Sequence, residues 1–246
     1  MQWQELLFTQ GFGTRRICAG LVQQGLVRAG GELIADAAAE VDPPEGMAYN
    51  VAGVDWAYHA RAYLMLHKPA GYECSQRPGA WPSVYTLLPG PLRQRPGGNA
   101  TPGVQAIGRL DQDTTGLLLL SDDGAFIHRM SSPRKLVPKL YQVTTADPVT
   151  PQQVRRLLDG VVLDDSPKPV RAAACAATGS HALDLTLTEG KYHQVKRMLA
   201  AVGNRVIGLH RASIGALGLP ADLAPGQWRW LEAADLQALA ATGAGG

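Results

Sequence analysis

Residues 108–124 read Gly-Arg-Leu-Asp-Gln-Asp-Thr-Thr-Gly-Leu-Leu-Leu-Leu-Ser-Asp-Asp-Gly. The apolar run from Gly116 to Leu120 suits a buried strand, closed by the turn-forming Ser121-Asp122-Asp123-Gly124. Ahead of it lies a polar loop with Arg109 beside Asp111. A cation a few ångströms from a carboxylate keeps it ionised and available as a nucleophile or base. The same loop also suits an Asx-turn network leading into a strand. The aspartates 111, 113, 122 and 123 raise a divalent-metal site of the nuclease kind. No His or Glu accompanies them at ligand spacing, and the leucines separate the two pairs, so no metal is expected.

Strands and helices alternate around this segment without an internal repeat. Tyr63 to Leu66 is a short apolar strand stopped by Lys68-Pro69, and Lys139-Leu140-Tyr141-Gln142-Val143-Thr144 alternates as a strand. Tyr141 on that strand can stack on a base or pack as a half-buried residue. Thr150-Pro151-Gln152-Gln153 supplies an N-cap, a proline at the first helical position and a capping-box glutamine, for a helix to Leu158 with Gly160 after it. Ala182 to Thr188 places Leu183, Leu185 and Leu187 on one strand face. A helix follows Glu189-Gly190, with Val195, Met198, Leu199 and Val202 at core spacing and Gly203 at its end. His193, Lys196 and Arg197 then share one face near its N-terminus, where the dipole already favours an anion. Residues 189–211 hold five Lys or Arg against one acid, which points to a phosphate- or carboxylate-facing surface rather than an ordinary solvated one. Residues 89–104 contain four Pro and four Gly and read as a long loop.

The N-terminal stretch predicts helix, turn, helix and hairpin. Thr14 caps a helix through Leu21 and Val22, Gly25 ends it, and Gly30-Gly31 joins two short strands. Pro43-Pro44-Glu45-Gly46 is a further turn. Arg15 and Arg16 at the helix start, and Arg28 in the hairpin, are candidates for gripping phosphate.

The chain has 246 residues and a formal net charge of +2, with 46% hydrophobic residues, enough for a sizeable core. The near-neutral total hides an asymmetry: residues 1–59 are net −4 and residues 60–246 net +6. No apolar run reaches the roughly 18 residues of a membrane helix. No basic stretch followed by an apolar one opens the chain, so no secretory signal is expected. Cys18, Cys74 and Cys175 lie far apart, giving neither a disulfide framework nor a zinc motif. A cytoplasmic protein making no membrane contact is expected.

Taken in order, these segments resemble one enzyme family. TRRICAGLVQQGLVRAGGELI is similar to an S4 RNA-binding domain. LHKPAGYECS, AIGRLDQDTTGLLLLSDDG, KLYQV and TEGKYHQVKRMLAAVGNRVIGLHR resemble the successive motifs of the bacterial ribosomal small-subunit pseudouridine synthase family. The Tyr-His of GKYHQVKRM is more like the 16S rRNA member than the 23S rRNA relatives. The resemblance implies an α+β fold, with a small S4-like domain at 1–59 and a larger catalytic domain at 60–246. That larger domain would have a mixed, mainly antiparallel sheet and flanking helices.

The implied activity is a cofactor-free isomerisation of uridine in folded RNA to its C-glycoside isomer. By carry-over, Asp111 is the catalytic aspartate, Tyr141 lies beside the flipped base, and Lys196 is the basic partner of the aspartate. Arg109, His193 and Arg197 then become phosphate-holding residues, joined by Arg15, Arg16 and Arg28. The expected partner is 16S rRNA or a small-subunit assembly intermediate, met by a monomer. A 23S rRNA uridine, or a non-catalytic S4-type assembly role, is the alternative. Three departures stand out: the S4-like segment lacks the usual RLDKFL-type opening and is acidic. The 89–104 loop, with Arg93 and Arg95 as candidate RNA contacts, is longer than the family pattern. Lys196 stands where most relatives place Arg, and a compact ammonium does not form the bidentate pair that a planar guanidinium does.

Overall fold

A computed structural model describes residues 1–97, 102–164 and 166–241; of the expected 89–104 loop, residues 98–101 lie outside the described residues. The chain divides into two compact units. The first comprises Met1–Tyr63, Leu88–Gln105 and Leu120–Ile127, and the second Leu64–Leu87, Ala106–Leu119 and the chain from His128 onward.

The first unit opens with α1 (Trp3–Thr9) and α2 (Arg15–Gln23). The Thr14 hydroxyl accepts from the Ile17 N–H at 3.3 Å, the expected N-cap, and Gly25 follows the helix at φ +69°. Strands β1 (Val27–Ala29), β2 (Glu32–Leu33), β3 (Ala48–Val51) and β4 (Val54–Ala57) form a sheet in the order β2-β1-β3-β4. Gly30 and Gly31 both have positive φ and close the β1–β2 hairpin, as the sequence predicts. A second tight turn, Ala52-Gly53, closes β3–β4 with an alanine at φ +51°. Trp3, Leu6, Leu7, Cys18, Val22, Val27, Tyr49 and Val51 form the core of this unit.

The Pro/Gly-rich stretch is not loop throughout, because α3 (Gly90–Gln94) forms with Pro91 in its first turn. A Cβ on Gly11 would fall 2.0 Å from the Pro91 carbonyl oxygen, so this approach requires glycine. Arg95 follows α3 and is buried, which corrects its reading as an RNA contact. Its guanidinium pairs with Asp122 at 2.6 Å and donates to the Gln10 side chain at 2.9 Å and the His59 carbonyl at 2.7 Å. Each of its nitrogens thus has a partner inside the protein, while Arg93 remains exposed. The Tyr63 hydroxyl donates to Asp123 at 2.7 Å, just before α4 (Gly124–Ser131).

The second unit is built on a sheet of β5 (Tyr63–Lys68), β6 (Gln105–Ala106), β7 (Thr115–Ser121), β8 (Lys139–Thr145), β11 (Ala174–Gly179), β12 (Ala182–Leu187), β13 (Val206–Ile214), β14 (Leu217–Gly218) and β15 (Trp228–Trp230). Its main order is β11-β12-β8-β13-β7-β5-β15. The β13–β7 pair is parallel, and β11–β12, β12–β8, β8–β13 and β5–β15 are antiparallel. A separate ribbon pairs β9 (Val161–Leu163) with β10 (Ser166–Val170). Helices α5 (Pro151–Asp159), α6 (Gln194–Ala201) and α7 (Ala233–Ala240) complete the unit. The α+β architecture with a mixed, mainly antiparallel sheet is the one expected.

Local rules account for these elements. The Thr150 capping box forms in full at α5, and Gly160 ends that helix. Along β12 the leucines 183, 185 and 187 are buried in strict alternation. They meet Tyr141, Val143, Val195, Met198 and Leu199 in one apolar cluster that also takes in Leu110. Gly116 has φ +111°, and a Cβ there would lie 2.3 Å from the Arg211 carbonyl oxygen, so the parallel β7–β13 approach depends on glycine. No helix among the described residues is long and apolar enough to cross a membrane.

Candidate active site

The shared apolar cluster explains how distant motifs meet. Leu110, Val195 and Tyr141 all belong to it, so the polar neighbours Asp111 and Lys196 are drawn to its edge. His193 Nε2 stands 3.3 Å from Asp111 Oδ1, and Lys196 Nζ stands 3.4 Å from Asp111 Oδ2. The Asp111 side chain keeps 26% of its surface exposed, enough to meet a substrate and little enough to feel its neighbours. Lys196 lies closer still to Asp113, at 2.7 Å and 2.8 Å from its two oxygens.

Asp113 and Lys196 respond to this arrangement. Partial burial opposes ionisation of Asp113, but the Lys196 hydrogen bond and charge outweigh it and hold the carboxyl below its ordinary value. Burial likewise opposes the Lys196 charge, and the two aspartates prevail and raise its pKa. Lys196 is therefore a fixed cation shared between two carboxylates.

The loop bearing Asp111 is held from below. Lys68, at the end of β5, is fully buried, and its ammonium donates to the carbonyls of Pro69, Gln112 and Thr114 at 3.0, 3.1 and 2.8 Å. Gly71 N–H also donates to the Gln112 carbonyl at 2.8 Å, and Thr114 N–H closes a turn onto the Asp111 carbonyl at 3.1 Å. Burial lowers the Lys68 pKa, and the charges of Asp111 and Asp113 act against that shift. From the other side, buried Arg211 donates through Nε to the Leu117 carbonyl at 2.8 Å.

The turn before α6 is equally determined. Gln194 is buried, accepting from Lys191 N–H at 2.8 Å and donating to Glu189 at 2.9 Å. His193 is not inside the helix, as its i+3 and i+4 spacing to Lys196 and Arg197 suggested; it is the N-cap residue, in the left-handed region at φ +47°. That conformation is uncommon for a side chain larger than glycine and gathers at functional sites. It still lets His193 reach Asp111, and it stacks the Tyr192 and His193 rings at 3.8 Å between centroids. Arg197 donates to the Tyr192 carbonyl at 3.0 Å.

The remaining sequence candidates fall in different places. Arg109 is exposed and forms no ion pair with Asp111 among the described residues; His193 and Lys196 supply the cationic side instead. Tyr141 is almost wholly buried on β8, opposite Leu185 and Arg211. In the first unit, Arg15 pairs with Glu5 through two hydrogen bonds and lies over the Phe8 ring, so its charge is already engaged. Arg16 is exposed, and among the described residues exposed Arg28 makes only a long 3.5 Å contact to the Gly31 carbonyl. Sequence reasoning missed Lys68 and Asp113 as the tighter partner of Lys196, and it used Tyr192 only for the family resemblance. A groove of about 490 Å³ beside Lys196 is lined also by Ala200, Asn204, Arg205 and Asp147.

Among the described residues no group of three or more His, Cys, Asp or Glu could hold a metal ion. What the arrangement offers is two accessible carboxylates sharing a fixed cation, with an imidazole on Asp111, at the edge of an apolar wall. Such a set can perform nucleophilic or proton-transfer chemistry.

Comparison with known proteins identifies the family. Residues 62–201, which include Asp111, Tyr141 and Lys196, match the family described as RNA pseudouridylate synthase. The ribosomal small subunit pseudouridine synthase A of Escherichia coli (strain K12) is 40% identical, over 89% of this chain and 92% of its own. The protein of that name from Pasteurella multocida (strain Pm70) is 37% identical over 91% and 92%, and that of Yersinia pestis 36% over 98% and 99%. A crystal structure of a pseudouridylate synthase, 32% identical, matches with a TM-score of 0.67 over 97% of this chain and 99% of that one. The chain belongs to the RNA pseudouridylate synthase family and is a pseudouridine synthase, an isomerase.

Proposed function

We propose that this enzyme converts one uridine of 16S rRNA, in the RNA or in a small-subunit assembly intermediate, to pseudouridine. The single observation that carries the chemistry is Asp111, an accessible carboxylate with His193 and Lys196 within 3.4 Å. The choice of small-subunit RNA is supported by the names of relatives that are similar over nearly the whole chain.

In this reading Asp111 is the catalytic carboxylate. It attacks the ribose anomeric carbon or removes a ribose proton, and either route breaks the N1–C1′ bond. The freed uracil turns and C5 bonds to C1′; on the first route the Asp111–C1′ ester bond breaks as this bond forms, and on the second the abstracted proton returns to the ribose. The C5 hydrogen passes to water and N1 gains a proton, so atoms balance as an isomerisation. The target leaves its stack to reach Asp111, at a cost of a few kcal/mol that an aromatic wall at Tyr141 offsets in part. Lys196 places its ammonium 3.4 Å from Asp111 as the basic partner of the catalytic carboxylate. Arg109, His193 and Arg197 hold the phosphates around the extruded nucleotide, and such contacts position without reading sequence.

Residues 1–59 act as an S4-like accessory domain and 60–246 as the catalytic domain. With Arg15 engaged by Glu5, the grip of the acidic first domain on RNA rests on Arg16 and Arg28. The protein works as a cytoplasmic monomer. Incubation with 16S and 23S transcripts, followed by carbodiimide treatment and primer extension, tests the substrate. One modified nucleotide in 16S is expected, and equal modification of 23S contradicts the assignment.

A further inference from the structure

We infer that the Tyr192 ring is a stacking platform for an RNA base next to the extruded uridine, a contact that sets how tightly the substrate is held. The inference rests on the proposed reaction and adds a subsite to it. Tyr192 is 68% exposed, beyond every other exposed large hydrophobic side chain among the described residues. A tyrosine left in water forgoes the burial that ordinarily stabilises an aromatic side chain.

Its placement is also determined by its surroundings. The ring lies 3.8 Å from that of His193 with 19° between planes, and the same His193 puts Nε2 3.3 Å from Asp111. The exposed ring is thus one stacked layer away from a group touching the reacting carboxylate. Three features aim it there: the left-handed backbone of His193, the Arg197 guanidinium on the Tyr192 carbonyl, and the Gln194 side chain bonded back across the turn to Lys191 and Glu189. Backbone strain in a turn this heavily tied points to a demand for the geometry itself.

The chemistry of the occupant follows from the surface. A flat π-face on a segment that also carries Lys191 and Arg197 fits an unpaired nucleobase carried on a phosphodiester. Stacking is tolerant of base identity, so Tyr192 contributes affinity and register more than sequence choice. Removing a nucleotide from its stack leaves its neighbours with one bare face each, and Tyr192 covers one of them.

The test is a binding cycle on an rRNA fragment whose modified uridine has first been mapped with the parent enzyme. Dissociation constants are measured for the parent, Tyr192→Ala and Tyr192→Phe, on intact RNA and on RNA made abasic at each flanking nucleotide in turn. Tyr192→Ala is expected to weaken binding of intact RNA by about 5- to 100-fold, the range of one base–aromatic stack, with Phe restoring most of it. For one flanking position, the abasic RNA should bind the parent weakly and lose little more with Ala. Full, additive losses at both positions, or no loss with Ala, overturn the platform while leaving the reaction standing. Failure of the parent to form pseudouridine in any rRNA overturns both.

Discussion

Lys196 lies nearer to Asp113 than to Asp111: its ammonium is 2.7 Å from one carboxylate and 3.4 Å from the other. The cation is therefore shared, and the carboxylate assigned to the chemistry is the less tightly bound of the two. That arrangement puts a cation beside Asp111 without closing it into a tight ion pair.

The first prediction concerns that sharing. Asp113→Asn lets Lys196 move onto Asp111, lowering turnover by about 2- to 10-fold, up to ~1.4 kcal/mol of barrier. Lys196→Met removes the cation from both carboxylates and should cost about 100-fold. Because Asp113 ionises more easily folded than unfolded, its pair stabilises above the unfolded value of about 3.9 and is lost as pH falls through the lower folded value. Single-turnover rates of the two variants decide this; an Asp113→Asn loss as large as that of Lys196→Met contradicts it.

Lys68 should behave as a structural cation. Lys68→Met leaves the Pro69, Gln112 and Thr114 carbonyls without their shared donor, and should destabilise the protein by about 2–4 kcal/mol in urea. A variant as stable as the parent contradicts the role given to this residue.

Arg95 makes the corresponding case in the first unit. It and Asp122 are almost fully buried, at 2% and 4% side-chain exposure. Arg95→Met strands the Asp122 carboxylate and should cost about 3–5 kcal/mol. Adding Asp122→Asn should recover part of that loss; an additive double variant rules out the coupling.

Lys139 supplies a pH signature. Burial, with the Arg211 charge adding to it, lowers its pKa to about 8 from an ordinary 10.5. Between those values the unfolded chain binds more protons than the folded one, so this group makes stability rise with pH across about 8 to 10.5. Lys139→Met should be more stable than the parent at pH 7, with the gap narrowing through that window. Parallel stability curves contradict it.

The sequence showed most clearly what local rules determine. The α5 capping box, the Gly30-Gly31 hairpin and the β12 leucines each follow from residues adjacent in the chain. The Ala52-Gly53 turn was hidden because alanine rarely adopts positive φ, and α3 because its short turn lies amid prolines and glycines. In the site, Asp111 and Lys196 stand in a recognisable stretch, whereas their sharing with Asp113 depends on distances set by the apolar cluster. Lys68 read as the end of a strand, since a wholly buried lysine is rare and its three carbonyl partners come from two loops. Tyr192 entered the sequence reading only through the family resemblance, because its exposure and its stack on His193 follow from a left-handed residue that no spacing rule anticipates.

The central claim is that the Asp111 carboxylate performs the isomerisation, and tritium release from C5-labelled uridine in 16S rRNA measures that step directly. The parent should release tritium from one uridine per transcript, and Asp111→Asn, which keeps shape and removes charge, should lower the rate by at least about 1,000-fold while still binding the RNA. Release by Asp111→Asn within about tenfold of the parent would contradict the account.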